Sequence, residues 1–146
     1  MSDEICIPIS LEEGLSVPDY ATSGAAGVDL RSTARHTLQP MARTAIPTGI
    51  RIAVPPGFEA QIRPRSGLAI NHGITMINSP GTIDSDYRGE IKILMINLGT
   101  EPFEIQPGDR VAQMVICPVV RANFVVTENL DDTARGSGGF GSTGKQ

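Results

Sequence analysis

The segment GFEAQIR, residues 57–63, alternates apolar and polar side chains along its length. A period of two is typical of a β-strand that buries one face. The 16 Gly and 11 Pro residues divide the chain into short apolar runs. This pattern predicts an all-β sandwich or barrel without long helices.

Outward from this segment, similar runs predict strands at residues 5–9, 45–54, 58–63, 73–78, 90–98, 103–105 and 111–127, the last broken near Pro118. A helical turn is predicted around residues 66–71, too short to organise a fold. Residues 11–15 are ambiguous between a turn and irregular chain. The sheets must therefore close on one another.

The composition fits one domain with an aliphatic core. The chain has 146 residues, 40% of them hydrophobic and 4% aromatic, with no Trp. A formal net charge of −4 argues against a protein that grips nucleic acid or an anionic membrane over a broad basic face. Ten of the basic residues are Arg, whose planar fork suits phosphate or carboxylate groups on a small ligand.

The two cysteines, Cys6 and Cys117, lie in apolar runs without metal-ligand spacing, so buried reduced thiols are expected. No apolar run is long enough to span a bilayer, and the N-terminus lacks the basic and apolar regions of a signal peptide. We therefore expect a soluble cytoplasmic protein without a membrane partner.

The C-terminal stretch of residues 134–144 is rich in Gly and Ser. It matches the dinucleotide pattern GxGxxG and nearly completes a P-loop. Both interpretations fail, because each motif needs a strand before it and a helix after it, and Lys145 is followed only by Gln146. Taken alone, the stretch predicts a flexible tail.

Five segments combine Gly with ionisable residues: AGVDLRS (26–32), PRSGLA (64–69), GTIDSDYRGE (81–90), GDRVAQ (108–113) and RGSGGFGSTG (135–144). Each alone could be an ordinary turn. The third is the least ordinary, although its charges could be merely solvated, or its acids could form a calcium loop without the EF-hand spacing. Together they offer Arg for phosphates, carboxylates for a base or a metal's water shell, and aromatics for a flat ligand. These groups suit phosphoanhydride hydrolysis.

In order and spacing, the five segments resemble the five motifs of the trimeric deoxyuridine triphosphate nucleotidohydrolase (dUTPase) family. The resemblance implies a jelly-roll-like distorted β-barrel at residues 1–128 and a flexible arm at residues 129–146 that carries the fifth motif. It implies a homotrimer in which arms are exchanged between subunits and each active site draws on three chains. It also implies Mg²⁺ as cofactor and dUTP as substrate, cleaved to dUMP and pyrophosphate.

Individual roles follow from the same resemblance. Asp84 would be the general base that activates water for attack on the α-phosphorus. Asp29 would act on Mg²⁺ through water, while Asp109 and Arg110 would support the site or the subunit junction. The implied substrate-binding residues are Arg65, Ser66, Gly67 and Gln113 at the phosphates, Asn78 at the uracil edge, Tyr87 at the deoxyribose, and Arg135, Phe140, Gly141, Ser142 and Thr143 in the arm.

Two other functions stay open at the level of sequence. A dCTP deaminase, or a bifunctional deaminase–dUTPase, would share the fold, but the IDSDYRG run and the complete fifth motif resemble dUTPases rather than deaminases. A nucleotide-sensing regulator without catalysis is the alternative from another class. Asp84 favours an enzyme, because a protein that only binds nucleotide has no evident need for a positioned base.

Overall fold

The computed structural model describes residues 4–146. The described part contains eleven strands and one short helix, in the order β1 Ile9–Leu11, β2 Val28–Arg31, β3 His36–Leu38, β4 Arg43–Pro47, β5 Ile50–Ile52, β6 Phe58–Arg63, α1 Ser66–His72, β7 Ile74–Met76, β8 Gly81–Ile83, β9 Lys92–Asn97, β10 Phe103–Ile105 and β11 Arg110–Pro118. The predicted all-β class is confirmed. Within residues 4–146, no helix has the length and apolar character needed to cross a membrane.

All strand pairs in the described part are antiparallel. The largest sheet has the order β2-β11-β6-β8, a second has the order β4-β9-β7, and two further pairs are β1-β5 and β10-β3. Because neighbours in each sheet are distant in sequence, the fold depends on long-range pairing rather than on a series of hairpins.

The core is aliphatic, as the composition predicts. In β9, Ile93, Met95 and Asn97 are buried while Lys92 and Leu94 are exposed, the alternation expected of a sheet with one face inward. The buried hydrophobic residues are Val28, Leu30, Leu38, Ile46, Ile50, Ile52, Val54, Ala60, Ile62, Ile74, Met76, Ile91, Ile93, Met95, Ile105, Val111, Ala112 and Met114.

One buried polar residue, Asn97, ties the end of α1 to the sheets. Its Nδ2 donates to the carbonyls of Leu38 at 2.9 Å and Glu101 at 2.7 Å, and its Oδ1 accepts from the backbone of Gly99 at 2.8 Å. Gly73 ends α1 with φ of 68°, and a Cβ there would meet the backbone of Gly99 at 2.7 Å. These contacts fix α1, whose first turn carries Ser66 and Gly67.

The predicted strand at residues 45–54 is interrupted. Gly49 adopts φ of 68° and separates β4 from β5, a conformation that favours glycine. The neighbouring Thr48 is buried, and its hydroxyl donates to the carbonyl of Ile91 at 2.6 Å. A buried turn with a satisfied hydroxyl therefore replaces the continuous strand that the apolar run predicts.

One other strand was predicted at the wrong residues, and three short strands were not predicted. The strand predicted at residues 5–9 was wrong, because β1 begins at Ile9 and pairs with β5. The short strands β2, β3 and β8 were not predicted, since each has only three or four residues. The segments at residues 58–63 and 103–105 are confirmed as β6 and β10, and the helical turn is confirmed as α1.

The last strand was predicted to reach residue 127 but ends at Pro118. Residues 119–146, here the C-terminal segment, have no strand or helix. Val120, Phe124 and Val126 in this segment are more than nine-tenths exposed. A β-forming sequence therefore lies without a strand partner in the single chain. The proposed division of the chain at residues 128 and 129 stays a prediction.

The burial prediction for the cysteines was wrong for Cys6, which is exposed. It lies before β1, where the chain has not yet joined a sheet. Cys117 is half-buried near the end of β11. Both thiols are free, as expected.

Candidate active site

Strand pairing brings three of the five motifs to one end of the largest sheet. In the register of that sheet, Gln113 of β11 lies opposite both Asp29 of β2 and Arg63 of β6. The chain leaves β6 through Pro64 and Arg65 and enters α1 at Ser66. Residues far apart in sequence therefore meet at the C-terminal end of β6.

Hydrogen bonds connect these residues to one another. Gln113 Nε2 donates to the carbonyl of Pro64 at 3.4 Å. Arg65 Nη1 donates to the carbonyl of Arg110 at 3.0 Å. Arg110 Nη1 lies 3.4 Å from Asp29 Oδ2. The three motifs form one network, in which Arg65 retains further N–H donors for a ligand.

A pocket of about 310 Å³ opens beside this network. Three guanidinium groups on its wall suit an anionic ligand, since Arg binds phosphate and carboxylate oxygens in a bidentate manner. We call it the arginine pocket, lined by Arg31, Arg65, Leu68, Phe103, Gly108, Asp109, Arg110 and Val111.

Ser66 and Gly67 form the first turn of α1 beside Arg65. The helix has no side-chain cap at Arg65, and its first backbone hydrogen bond runs from Ala69 N to Arg65 O at 3.1 Å. The N–H groups of Ser66 and Gly67 therefore have no partner within the helix. Both residues are exposed, and a Cβ added to Gly67 would meet nothing within 4 Å. Backbone N–H groups that are available to a ligand therefore lie beside Arg65.

A second pocket, of about 270 Å³, lies around the third motif. We call it the tyrosine pocket, lined by Asn78, Thr82, Ile83, Asp84, Tyr87, Glu90, Lys92 and Leu94. The strands that flank Asn78 belong to different sheets, because β7 pairs with β9 and β8 pairs with β6. This pocket therefore lies where two sheets meet.

Short contacts hold the loop of the tyrosine pocket in shape. Tyr87 N donates to the carbonyl of Asp84 at 3.1 Å, which closes a turn. The Tyr87 hydroxyl donates to the carbonyl of Glu90 at 2.9 Å. Arg88 Nη1 donates to the carbonyl of Ser85 at 2.7 Å. The Asp84 carboxylate remains exposed, so it is free to meet water and ligand while its backbone is fixed.

The two pockets lie at opposite ends of β6. Ala60 pairs with Ile83 and Ile62 with Gly81, so Asp84 follows β8 near the N-terminal end of β6. Arg65 lies beyond the C-terminal end of β6. At 3.3 Å per residue, the roughly six residues between these two points correspond to about 20 Å. Asp84 and Arg65 of one chain are thus too far apart to act on one phosphate group.

The fifth motif lines neither pocket. Arg135 Nε donates to the carbonyl of Gly138 at 2.8 Å, and Ser142 N donates to the carbonyl of Gly139 at 3.0 Å. Phe140 is fully exposed and has φ of 50°. Gly141, Ser142 and Thr143 are likewise exposed. The motif forms its own turns and presents an aromatic ring outward.

Sequence reasoning missed two groups in the pockets. Arg31 was quoted within the first motif but given no role, although its position two residues after Asp29 places both on one face of β2. Glu90 Oε2 is buried without a hydrogen-bond partner in residues 4–146. Alternation along a strand could have found Arg31, whereas nothing in the sequence shows that Glu90 is covered.

Comparison with known proteins decides the family. The family model described as dUTPase matches residues 13–144, and this span includes all five motifs. The chain belongs to the dUTPase family. A deoxyuridine 5'-triphosphate nucleotidohydrolase of Roseobacter denitrificans is 57% identical over 136 residues, covering 91% of this chain and 90% of the relative. One from Chlamydia pneumoniae is 58% identical over 137 residues, covering 92% and 94%.

Solved dUTPase structures share the fold. The dUTPase of Staphylococcus bacteriophage 80alpha, in complex with dUpNHpp, superposes with a TM-score of 0.88 at 22% identity, covering 96% of this chain and 99% of the phage chain. A mutant dUTPase of phage phi11 of S. aureus, described with a structural Mg(II) ion, gives a TM-score of 0.79 at 21% identity, covering 86% and 98%. The arrangement of strands is thus that of the dUTPase fold.

Proposed function

We propose that the protein hydrolyses dUTP to dUMP and pyrophosphate, which limits uracil incorporation into DNA and supplies dUMP for thymidylate synthesis. The observation that carries the proposal is the tyrosine pocket, where Asp84, Asn78 and Tyr87 converge in a chain that belongs to the dUTPase family. The names of the relatives agree with this activity. The cytoplasm, where nucleotide pools are processed, is the proposed compartment.

Asp84 is the proposed general base. Its exposed carboxylate lies in the tyrosine pocket, and the turn from Tyr87 N to Asp84 O fixes its backbone. A carboxylate in this setting can orient a water and take its proton during attack on the α-phosphorus. The proton then resides on the carboxyl group, and pyrophosphate leaves from the α-phosphorus.

Tyr87 and Asn78 are proposed to select the nucleoside. The hydroxyl of Tyr87 is held by the carbonyl of Glu90, so its ring is fixed as a platform for deoxyribose that leaves no space for a 2′-hydroxyl. Asn78 has both an amide donor and a carbonyl acceptor for the uracil edge. Gly81 leaves it room, since a Cβ there would meet Asn78 Nδ2 at 3.2 Å. A rigid polar site of this kind discriminates strongly.

The phosphates are proposed to bind in the arginine pocket of another chain. Arg65, Ser66 and Gly67 supply side-chain and backbone donors, and Gln113 contacts the α-phosphate or the nearby water. Because Asp84 and Arg65 of one chain are about 20 Å apart, the reaction requires two chains to combine their pockets. Two exposed apolar side chains, Leu94 in the lining of the tyrosine pocket and Ile77 next to Asn78, suit a subunit contact. These features support the homotrimer.

The C-terminal segment is proposed to reach a neighbouring subunit. Its exposed Val120, Phe124 and Val126 are β-forming residues without a partner strand, and pairing with another chain would bury them. This contact would carry the fifth motif to a neighbour's site. There Arg135 clamps the γ-phosphate, Phe140 caps the uracil ring, and Gly141, Ser142 and Thr143 complete the enclosure, which excludes water.

The oxygen donors of this chain suit a magnesium ion that is held mainly by the substrate. Within residues 4–146, no three His, Cys, Asp or Glu side chains form a metal cluster. Mg²⁺ commonly keeps several waters and binds through one or two carboxylates and phosphates. Asp29, part-buried beside Arg110, is the proposed carboxylate and acts through water. When bound, the ion neutralises phosphate charge in the transition state.

Pyrophosphate release tests the proposal. The purified protein is incubated with dUTP, dCTP, dTTP and UTP, with and without Mg²⁺, and the nucleoside product is identified by chromatography. Selective release from dUTP in the presence of Mg²⁺, with dUMP as product, is expected. A uracil nucleotide produced from dCTP would instead indicate a deaminase. Tight binding of dUTP without turnover would indicate a nucleotide sensor.

A further inference from the structure

Arg31 is joined to the turn that precedes β11. Its Nη1 donates to the carbonyl of Gly108 at 2.8 Å. Gly108 N donates to the carbonyl of Ser32 at 2.8 Å, and Ser32 N donates to the carbonyl of Asp109 at 2.9 Å. The turn is closed by Gln106 N, which donates to Asp109 Oδ2 at 2.8 Å. The end of β2 therefore holds this turn at several points.

The turn determines where Arg110 lies. Arg110 pairs with Arg31, but the register between β11 and β2 shifts before Ala112. The residue that this shift leaves without a strand partner is Val111, as in a β-bulge. Arg110 keeps its pairing with Arg31, and the preceding turn, through Gly108 and Asp109, fixes it from the other side. Its carbonyl accepts the hydrogen bond from Arg65 Nη1 at 3.0 Å.

We infer that Arg31 is a positioning residue, which acts through the Gly108 turn and the Arg110 carbonyl to aim the guanidinium of Arg65. This inference rests on the proposed function, in which Arg65 binds the phosphates. The ion pair between Arg110 and Asp29 is exposed on one side, with 47% and 29% of the side chains accessible. Such an exposed pair contributes little to the free energy of folding, so the position of Arg110 depends mainly on its backbone contacts.

We call the path from Arg31 through the Gly108 turn and the Arg110 carbonyl to Arg65 the relay. It predicts a definite pattern in a double-mutant cycle. Arg31→Met removes the donor to Gly108, so affinity for the imido analogue of dUTP falls by about tenfold, the effect of one charged hydrogen bond. The affinity of Arg65→Met for the same analogue should fall further. Since Arg31 acts through Arg65, the double variant should match Arg65→Met within about twofold, because the two effects are coupled.

Controls separate the relay from charge and from folding. Arg35→Met removes the same charge from an exposed residue outside the arginine pocket and should bind the analogue like wild type. Arg31→Lys keeps the charge and one donor and should lie between wild type and Arg31→Met. It also serves if Arg31→Met fails to fold. Binding is measured by calorimetry, with thermal unfolding as a check.

Losses that multiply in the double variant would overturn the inference, because Arg31 would then touch the ligand or act independently of Arg65. Equal binding by wild type and Arg31→Met would also overturn it. Turnover of dUTP by the wild type is measured in parallel. If that turnover is absent, the proposed function fails. If turnover is present and the effects multiply, only the relay fails.

Discussion

The two ends of β6 differ in how they are built. At its C-terminal end, residues from β2, β11 and the segment before α1 are joined by side-chain hydrogen bonds beside the arginine pocket. Near its N-terminal end, the tyrosine pocket combines residues of β8 and β9 with a loop that is closed by its own backbone and Tyr87. The C-terminal end presents positively charged side chains, and the N-terminal end presents the carboxylate proposed to activate water. Each end lacks a group that the other end has, which supports the proposal that a working site combines two chains.

The largest effect is expected from the tyrosine pocket. Asp84→Asn removes the proposed base but keeps its size, so turnover of dUTP should fall by about 10³-fold while nucleotide binding and assembly persist. Asp86→Asn, in the same loop but outside the pocket lining, is the control and should retain activity. Steady-state kinetics decide the matter, and near-normal turnover by Asp84→Asn would remove Asp84 from the base role.

Deleting the chain after Leu130 tests whether the two pockets suffice without the fifth motif. We expect the truncated protein to assemble but to lose about 10²-fold in turnover, since water enters and the phosphates are less well placed. Removal of Lys145 and Gln146 alone is the matched control. Chromatography reports assembly and pyrophosphate release reports turnover. An unfolded product would show that the arm is structural.

A smaller effect is expected when the tyrosine platform is loosened. Tyr87→Phe keeps the ring but loses the hydrogen bond to the Glu90 carbonyl. Because one neutral hydrogen bond contributes about 1 kcal/mol, kcat/KM for dUTP should fall by about tenfold or less, and rejection of UTP should weaken. Tyr20→Phe, outside both pockets, should change neither. Identical kinetics for the two variants would argue against the platform.

The smallest effect on activity is expected from the hydrophobic core. Ile93→Val shortens a fully buried side chain of β9, which should lower the free energy of unfolding by about 1 kcal/mol and leave kcat unchanged. Ile70→Val, at an 84% exposed position, is the control. Denaturation is compared at one protein concentration, because stability of an oligomer depends on it. A large loss of kcat in Ile93→Val would mean that the core transmits strain to a pocket.

Much of the fold follows from local pattern, and the failures have physical causes. Alternation in residues 58–63 identifies β6 because one face is buried. The strands β2 and β8 escaped detection because short strands gain their stability from partners that sequence does not reveal. Residues 119–127 have strand propensity but no strand. Strand propensity yields a strand only where the segment meets a partner, and in the described chain this segment pairs with none.

The site was predictable in its parts but not in its arrangement. The five motifs indicate which residues carry chemistry, since carboxylates, arginines and aromatics occur beside glycines. Sequence alone does not show that Gln113 lies opposite both Asp29 and Arg63, nor that Asp84 belongs to the other end of the sheet. Long-range register determines both facts. The role of Arg31 likewise appears only when its contact with Gly108 is known.

Complementation between two inactive variants tests most directly whether one site uses two chains. Asp84→Asn and Arg65→Ala chains, carrying different affinity tags, are produced together and purified through both tags. In a mixed cyclic trimer, about one site in three receives an intact Asp84 and an intact Arg65 from different chains. We predict that the mixed protein recovers about a third of wild-type turnover. Turnover no higher than that of either variant alone would contradict the shared site.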